Sequence, residues 1–428
     1  MTSKLFTSAE GHSIDQVAKP RRSGSRRQAT PPPGKILVIA AVDVMVWRLL
    51  LPWLRELKDR GFEVHIACSP SDYFDRLEDA GFQMHAVQLR RDFNVFAHLR
   101  AAFELIRLIR SIGVAVVNTH SPIGAAVGRL AAFVSGVDTI VYTVHGFYFH
   151  DRMPWPQRCA FTAIEWLLGR FTDGFMFVSE EDCQTARRLG IAGRNTKVCT
   201  IYNGVDVDCY RPRVVDDPVV KELRHRHHLG EQIVIGTVGR IVKEKGYREF
   251  LGMAARLTRE GVDATYVVVG DSLPSDRDHF GPSFRSLVAA AGLSGRFVFT
   301  GMTDRVADYL ALMDIFVLAS YREGFPRSVL EAMAAGLPVV TTDIRGCREA
   351  VRHGRSGYIV QPADVDGLTS AVMRLVKDST GRLKMGRQGR ALAVKQYDYR
   401  QVQKRFAAFI EAFGDVAIRR GTVEPSRL

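Results

Sequence analysis

The chain has 428 residues, 46% of them hydrophobic and 25% charged, a composition typical of globular proteins. This length exceeds a single hydrophobic core and predicts two or three domains. The formal net charge of +13 predicts an anionic partner, either a phosphorylated substrate or a membrane surface. No nucleic-acid-binding signature accompanies the charge, so nucleic acid is not expected as a partner.

The six cysteines show no C-x-x-C spacing. They are expected to be reduced thiols of a cytoplasmic protein, without a metal site. No apolar run reaches the roughly 18 residues that span a bilayer. The basic N-terminus lacks the apolar segment of a secretory signal.

Residues 1–34 are rich in Ser, Arg, Gly and Pro and are predicted to form a disordered basic tail. A weak electrostatic tether to anionic lipid is the functional alternative. Apolar runs in the first half then predict strands that alternate with helices. The predicted strands are 35–40, 64–68, 85–89, 114–117, 139–144, 175–178 and 197–201, and the helices are 47–60, 73–80, 96–112 and 124–136.

A polar segment with two prolines and a cluster of histidines follows residue 206 and predicts a domain boundary. The alternation then restarts, and the final helix is expected at 399–413. The predicted strands of this half are 233–238, 265–269, 297–299, 315–318, 338–341 and 357–360. The sequence therefore predicts an α/β protein with two doubly wound parallel-sheet domains, 35–206 and 207–395, facing a cleft.

A stretch near the end of the second domain reads YREGFPRSVLEAMAAGLP. It places Glu323 in a strand-to-helix loop and Glu331 about one turn into the helix. In a parallel sheet such a loop faces the ligand crevice. The free backbone N–H groups of Gly324, Phe325 and Arg327 favour an anion there. Carboxylates beside an anion site suit a ligand with hydroxyls and phosphate, such as a nucleotide sugar.

The loop after the first strand of the second domain contributes two cations, Arg240 and Lys245. Arginine offers a planar fork to phosphate oxygens and lysine offers a point charge. The surrounding residues match neither a P-loop nor a D-x-D motif for Mg²⁺. We expect fixed cations to neutralise phosphate charge in place of a metal, and no cofactor is expected.

The paired glutamates, with seven residues between them, resemble the motif of retaining glycosyltransferases of family 4, and the resemblance extends from about residue 35 to 413. It implies a GT-B fold of two Rossmann-like domains, with a last helix (396–417) that crosses back to the first domain before a tail at 418–428. It implies that Arg240 and Lys245 bind the donor diphosphate. Glu323 would contact sugar hydroxyls, and Glu331 the ribose.

Further positions match family loops. His145 ends a first-domain strand and resembles the histidine that faces the donor sugar, while His120 ends the neighbouring strand and is an acceptor-side candidate. Gly270 and Met302 lie in loops that resemble those near the donor and its base. The loop after the first strand lacks the glycines that many members carry. Its Asp43 either orients an acceptor hydroxyl or caps a helix.

Two first-domain helices, 47–60 and 96–112, are amphipathic and basic, and the loop 147–155 adds aromatic residues. One interpretation is that both helices pack on their sheet. The other is that the first domain docks on the anionic cytoplasmic leaflet as a peripheral protein.

The resemblance implies a retaining, metal-independent enzyme that moves a hexose or N-acetylhexosamine, expected to be UDP-linked, to a lipid-diphosphate-linked or other saccharide acceptor in surface polysaccharide assembly. The acceptor proton would pass to a phosphate oxygen on the same face. The alternatives are an epimerase or hydrolase that acts on the nucleotide sugar alone, and a non-catalytic nucleotide-sugar-binding scaffold.

Overall fold

The computed structural model describes residues 34–90, 94–150, 153–214, 216–273, 276, 278 and 280–421, and side chains as far as residue 413. The predicted tail at 1–34, apart from Gly34, lies outside the described residues, as does most of the tail predicted at 418–428. The strands in the described part are β1 (Lys35–Val42), β2 (Glu63–Ser69), β3 (Gln83–Ala86), β4 (Val116–His120), β5 (Thr139–Val144), β6 (Gly174–Phe177), β7 (Lys197–Thr200), β8 (Ile233–Val238), β9 (Ala264–Val269), β10 (Phe297–Phe299), β11 (Ile315–Leu318), β12 (Val339–Thr342) and β13 (Gly357–Val360).

Helices separate most of these strands. They are α1 (Asp43–Met45), α2 (Leu51–Asp59), α3 (Phe74–Asp79), α4 (Val95–Ile112), α5 (Pro122–Val134), α6 (Trp155–Gly169), α7 (Glu180–Arg188), α8 (Pro218–Arg226), α9 (Tyr247–Arg259), α10 (Phe280–Ala290), α11 (Val306–Leu312), α12 (Arg327–Ala334), α13 (Cys347–Ala350), α14 (Val365–Lys377), α15 (Ser379–Gln396) and α16 (Tyr399–Gly421). A π-helical stretch, Val46–Leu50, joins α1 to α2. No helix in the described part of the chain is long and apolar enough to cross a lipid bilayer.

The strands form two parallel sheets, in the orders β3-β2-β1-β4-β5-β6-β7 and β10-β9-β8-β11-β12-β13. Both sheets reverse their winding beside their first strand, between β1 and β4 and between β8 and β11. In open α/β sheets, ligands bind at the carboxyl ends of the strands on either side of this switch point. The two doubly wound Rossmann-like domains confirm the predicted fold class.

The strands are apolar because helices cover both faces of each sheet. β1 shows this most clearly, since its residues from Ile36 to Ala41 are buried. The prediction placed the third strand at 85–89, whereas β3 spans Gln83–Ala86. Val87 and Leu89 are nevertheless buried after the strand ends, and their burial explains the apolar run on which that prediction rested.

The last helix, α16, packs against α2 of the first domain. Trp53 and Phe406 lie with ring centroids 5.0 Å apart, and Gln403 Nε2 donates to the Pro52 carbonyl at 2.9 Å. The aromatic and leucine side chains of α2 are therefore buried between the first sheet and α16. The interpretation of this helix as a membrane face is wrong, because α16 already covers its apolar side.

Candidate active site at the junction of the two domains

Lys245 and Glu323 form an ion pair at the switch point of the second sheet. Lys245 ends a short 3₁₀ turn (Lys243–Lys245) after β8, and Glu323 follows β11. Lys245 Nζ donates to Glu323 Oε1 at 2.6 Å, and Ser320 Oγ donates to the same oxygen at 2.7 Å. The two charged side chains are only 18% and 11% exposed. The pair is thus held in place at the crevice end of the sheet.

The backbone around this pair is closely packed. Gly246 has φ +70°, and a Cβ there would lie 2.0 Å from the Ala319 carbonyl oxygen. Tyr321 N also donates to the Glu244 carbonyl at 2.8 Å. Because Gly246 lacks a side chain, the turn can lie directly on the end of β11. This contact brings Lys245 within reach of Glu323.

The first domain meets this loop through the residues after β5. A Cβ on Gly324 would lie 2.0 Å from the His145 carbonyl oxygen, and one on Gly146 would lie 2.9 Å from Gly324 Cα. The two domains therefore touch backbone to backbone. Only glycine fits on both sides of this contact, and the contact places His145 beside Glu323.

A chain of hydrogen bonds fixes the ring of His145. Asn118 Nδ2 donates to Thr143 Oγ1 at 2.9 Å, so Asn118 Oδ1 accepts from His120 Nε2 at 2.6 Å. His120 Nδ1 is then the acceptor for His145 Nε2, 3.0 Å away. The remaining nitrogen, His145 Nδ1, is buried and has no hydrogen-bond partner among the described residues. It is left as a bare acceptor.

Burial keeps both histidines neutral. Desolvation lowers the pKa of His145 to about 4, although part of the residue is exposed. The pKa of His120 is lowered well below its usual value by burial and then by the neighbouring His145. At neutral pH, His145 therefore offers a lone pair rather than a positive charge.

A small polar cavity of about 120 Å³ lies at this contact. It is below the range of roughly 300–1,000 Å³ typical of whole-ligand pockets, so it suits one sugar-sized group. Residues of both domains line it, among them His145, Gly146, Tyr321, Glu323, Gly324 and Arg345.

A second cavity, of about 890 Å³, lies between the same two domains. Its first-domain wall is largely apolar, and its second-domain wall is charged. Arg322 lines both cavities, and its guanidinium lies 5.1 Å from the ring centroid of Tyr148 in the first domain. The large cavity is lined by Ile123, Val127, Phe161 and Ile164 on one side and by Arg240, Lys243 and Asp276 on the other.

The structure gives the two predicted phosphate-binding cations different partners. Arg240 lines the large cavity, where it pairs with the buried carboxylate of Asp276, while Lys245 is bound to Glu323. Within the residues that the structure describes, no group of three or more His, Cys, Asp or Glu side chains could hold a metal ion. The metal independence of the reaction stays a prediction.

Other predicted donor-side residues lie around this centre. The Phe325 ring is buried against Tyr202 and Tyr397, and its carbonyl accepts from Asn203 Nδ2 at 2.7 Å. Gly270, with φ +120°, packs on Gly239 after β8, where a Cβ would lie 2.3 Å from the Gly239 carbonyl oxygen. Both residues shape the loops around the cleft through their backbone.

Glu331 and Met302 line neither cavity. Glu331 is buried in α12, with Arg327 Nη2 3.6 Å from its carboxylate and the Tyr210 hydroxyl beside it. Burial raises the pKa of Glu331, and Arg327 opposes that rise. Met302 is largely exposed. The structure therefore leaves both predicted donor contacts outside the small polar cavity.

Asp43, the acceptor-side candidate, is fully buried against the segment that follows β2. Its carboxylate accepts from the Ser71 N–H at 2.6 Å, from the Tyr73 N–H at 3.2 Å and from Ser71 Oγ. These bonds tie the start of α1 to the neighbouring loop. The arrangement favours a structural role over contact with an acceptor hydroxyl.

Two family models match the chain and together cover well over half of it. The model described as Glycosyltransferase Family 4 matches residues 46–209, and the model described as Glycosyl transferases group 1 matches residues 232–378. The chain belongs to glycosyltransferase family 4. The boundary between the two matches lies in the polar segment around α8.

Two relatives resemble this glycosyltransferase over most of their length. The N,N'-diacetylbacillosaminyl-diphospho-undecaprenol alpha-1,3-N-acetylgalactosaminyltransferase of Campylobacter jejuni is 26% identical, over 87% of this chain and 97% of its own. The UDP-Gal:alpha-D-GlcNAc-diphosphoundecaprenol alpha-1,3-galactosyltransferase of Escherichia coli is 25% identical, over 79% of this chain and 88% of its own.

Among solved structures, HepE of Anabaena, crystallised with UDP, superposes with a TM-score of 0.74 at 19% identity. The match covers 89% of this glycosyltransferase and all of HepE. At this level of identity the likeness supports the two-domain fold and not the chemistry of individual residues.

The sequence did not reveal the charged contact that joins the domains beside the small cavity. Glu349, in α13 of the second domain, accepts hydrogen bonds from the N–H groups of Glu180 and Glu181 at 2.7 and 3.1 Å, and from Ser179 Oγ. It thereby caps α7 of the first domain. The only signal in the sequence was the charge of residues 345–349, which does not identify a partner.

A second ion pair strengthens this contact. Arg345 Nη1 lies 2.6 Å from Asp182 Oδ1, and both side chains are nearly or wholly buried. Burial raises the pKa of Asp182 to about 6, although Arg345 opposes the shift. Because Arg345 also lines the small cavity, the charges that hold the domains together lie next to the proposed sugar site.

Proposed function

We propose that this glycosyltransferase moves a hexose or N-acetylhexosamine from a UDP-linked donor to a lipid-diphosphate-linked sugar, with retention of configuration and without a metal ion. The observation that carries the proposal is the Lys245–Glu323 pair, held at 2.6 Å beside His145 where the domains meet. Glu323 and the neutral imidazole of His145 line one sugar-sized cavity, and Lys245 is bonded to the Glu323 carboxylate.

Each group has a distinct part in the proposed reaction. Lys245 stabilises the charge that develops on the departing diphosphate, because it is held in place before the reaction begins. Glu323 Oε1 is occupied by Lys245 and Ser320, and Oε2 accepts donor-sugar hydroxyls. His145 Nδ1 accepts a further hydroxyl. Together they orient the sugar over the acceptor.

In the proposed step the bond between the anomeric carbon and the phosphate oxygen breaks. The acceptor oxygen forms the new bond on the same face, and its proton passes to an oxygen of the departing UDP. The donor phosphate thus serves as the base, and no protein side chain is needed to take the proton.

Relatives support the choice of substrates. The Campylobacter and Escherichia enzymes are named for sugar transfer to diphospho-undecaprenol-linked sugars, the latter from UDP-Gal, and HepE was crystallised with UDP. The large cavity beside Arg322 has the room and the apolar wall that such an acceptor requires. The contacts that the substrates make in the small cavity determine which donor sugar is used and which linkage is formed.

The test is a thermal-shift and turnover screen with UDP-, GDP-, ADP- and TDP-sugars, with and without chelator. We expect stabilisation by UDP-sugars alone, unchanged by chelator, and transfer to a polyprenyl-diphosphate sugar. NMR of the product would report the anomeric configuration.

Stabilisation by another nucleotide class would overturn the choice of UDP. Product formed from the donor alone would indicate an epimerase or a hydrolase. An inverted anomeric centre would exclude the proposed same-face step.

A further inference from the structure

Arg345 lines the small cavity and belongs to the loop between β12 and α13. The next residue, Gly346, has φ +75°, and a Cβ there would lie 2.0 Å from the Gly324 carbonyl oxygen. Because glycine has no side chain, this loop packs directly on the backbone that follows Glu323. The contact lies within the second domain, and it fixes the backbone of Arg345 relative to Glu323.

The guanidinium of Arg345, in contrast, is held from the first domain. Its Nη1 donates to Asp182 Oδ1 of α7 at 2.6 Å, and the two side chains are 12% and 0% exposed. Among the described residues, no other side chain or carbonyl forms a hydrogen bond or an ion pair with this guanidinium. Asp182 depends on Arg345 in turn, because its Oδ2 is buried without a hydrogen-bond partner in the described part of the chain. The direction of the Arg345 side chain is therefore set across the domain junction.

The neighbouring Arg348 has a different arrangement of partners. Arg348 also lines the small cavity, but it is bound to both domains. Its Nη1 donates to Asp343 of the second domain at 2.8 Å, and its Nε donates to Glu181 of α7 at 3.1 Å. Because Asp343 lies in the same domain as Arg348, this cation keeps a partner when the domains separate. Arg345 keeps none among the described residues, so its guanidinium is fixed only while the domains are in contact.

The side chains that the proposed function assigns to the sugar both accept hydrogen bonds. Glu323 offers a carboxylate oxygen, and His145 offers its bare Nδ1. A sugar hydroxyl that donates to either group still has lone pairs, and these need a donor once water is excluded from the cavity. A guanidinium carries several N–H groups, and Asp182 accepts from one of them. Arg345 therefore has N–H groups left to donate to a sugar hydroxyl.

We propose that Arg345 donates hydrogen bonds to a hydroxyl of the donor sugar and so helps to select that sugar, and that Asp182 is the positioning residue that holds Arg345 in place from the opposite domain. The proposal rests on the proposed function, because it takes the sugar of a nucleotide sugar as the occupant of the small cavity. A fixed donor rejects a sugar whose hydroxyl is misplaced. Arg345 therefore contributes to sugar selection only while the two domains are in contact.

The first test is calorimetric titration of the full chain with UDP and with two pairs of epimers, UDP-glucose with UDP-galactose and UDP-GlcNAc with UDP-GalNAc. The unmodified chain is expected to prefer one member of a pair. Arg345→Lys keeps a positive charge beside Asp182 but loses the planar fork. It should bind the preferred UDP-sugar at least roughly tenfold more weakly and UDP itself within about twofold of the unmodified chain. The control is Arg355→Lys, an exposed arginine that lines neither cavity.

The outcomes of this titration separate the inference from the proposed function. A preference that Arg345→Lys leaves unchanged would overturn the role of Arg345, and so would an unmodified chain that binds UDP but prefers neither member of either pair. An unmodified chain that binds neither UDP nor any of the UDP-sugars would instead overturn the proposed UDP-linked donor.

The second test asks whether Asp182 acts through Arg345. Asp182→Ala removes the acceptor of Arg345 and should weaken binding of the preferred UDP-sugar at least roughly tenfold, whereas Asp182→Asn keeps a side-chain oxygen and should restore most of it. In the double variant Asp182→Ala/Arg345→Gln no further loss is expected, because an Arg345 without its partner no longer contributes. A further loss in the double variant would overturn the positioning role. Should Asp182→Ala lower the melting temperature, Asp182→Leu, which fills the space without an acceptor, replaces it.

Glu181→Ala is the matched control for Asp182→Ala. Glu181 is the neighbouring residue of α7 and also pairs with an arginine of the second domain, but that arginine, Arg348, keeps Asp343 as a partner. Glu181→Ala should therefore leave the preference between the epimers unchanged. An equal change of preference in Glu181→Ala and Asp182→Ala would show that loosening of the domain contact, rather than the position of Arg345, is responsible, and would overturn the inference.

Discussion

The two cavities between the domains differ in how their walls are built. The small one, beside His145 and Glu323, forms where glycine backbones of both domains touch, and its polar groups are fixed by hydrogen bonds before any ligand arrives. The large one has an apolar wall from the first domain and a charged wall from the second. The difference indicates that the small cavity selects its ligand through hydrogen bonds, and that the large cavity selects its ligand through volume and apolar contact.

Among the variants that test this difference between the cavities, Lys245→Ala is expected to have the largest effect on activity. The substitution removes the proposed charge stabilisation and leaves Glu323 without its partner, so kcat should fall by roughly 10²–10³-fold. Lys243→Ala is the matched control, because Lys243 lines only the large cavity. Steady-state kinetics should show Lys243→Ala acting on acceptor KM alone. A similar kcat in both variants would contradict the proposed role of Lys245.

Gly324→Ala tests whether the small cavity depends on the backbone contact. The added Cβ would lie 2.0 Å from the His145 carbonyl oxygen, so the domains must separate. We expect roughly a hundredfold loss of kcat/KM, since displacing the catalytic groups by about 1 Å lowers the rate by about that factor. Gly295→Ala is the control, since no atom lies within 4 Å of a Cβ there. Small-angle scattering should detect a more open chain, and an unchanged profile with full activity would contradict the prediction.

Glu349→Ala should loosen the charged contact beside the small cavity. It removes the acceptor for the N–H groups of Glu180 and Glu181 at the start of α7, and we expect a loss of about 1–2 kcal/mol in the free energy of unfolding, measured with urea. The exposed Glu260, which ends α9, serves as the control because Glu260→Ala should change stability by less than about 0.5 kcal/mol. Equal effects in the two variants would show that the contact adds nothing to stability.

The pH dependence of stability tests the buried histidines. Unfolded His145 binds a proton near its usual pKa of 6.5, while the folded state lowers that pKa to about 4. Between these values the unfolded state binds more protons, so stability should fall as the pH drops from 6.5 to 4, by about 2–3 kcal/mol. Urea denaturation of His145→Gln should show a shallower slope than the unmodified chain. Parallel curves would exclude His145 as a source of the pH dependence.

Much of the fold followed from local sequence. Apolar runs of four to eight residues, spaced by helices, predicted nearly all the strands, because strands covered on both faces must be apolar throughout. Glu323 and Lys245 were predicted to lie in crevice loops, since each follows a strand of the same parallel sheet. Their direct bond was not predicted, because it depends on the close contact at Gly246.

Neighbouring elements, rather than the sequence by itself, decided the rest. The region of α2 and the helix α4 have the same basic, amphipathic pattern, yet α16 covers the first and leaves the second exposed. Glu331 was predicted as a ligand contact, and Asp43 as either an acceptor contact or a helix cap. The structure gives them Arg327 and Ser71 as partners. The periodicity of a segment fixes which of its residues share a face. What covers that face depends on residues hundreds of positions away, so only the tertiary structure decides it.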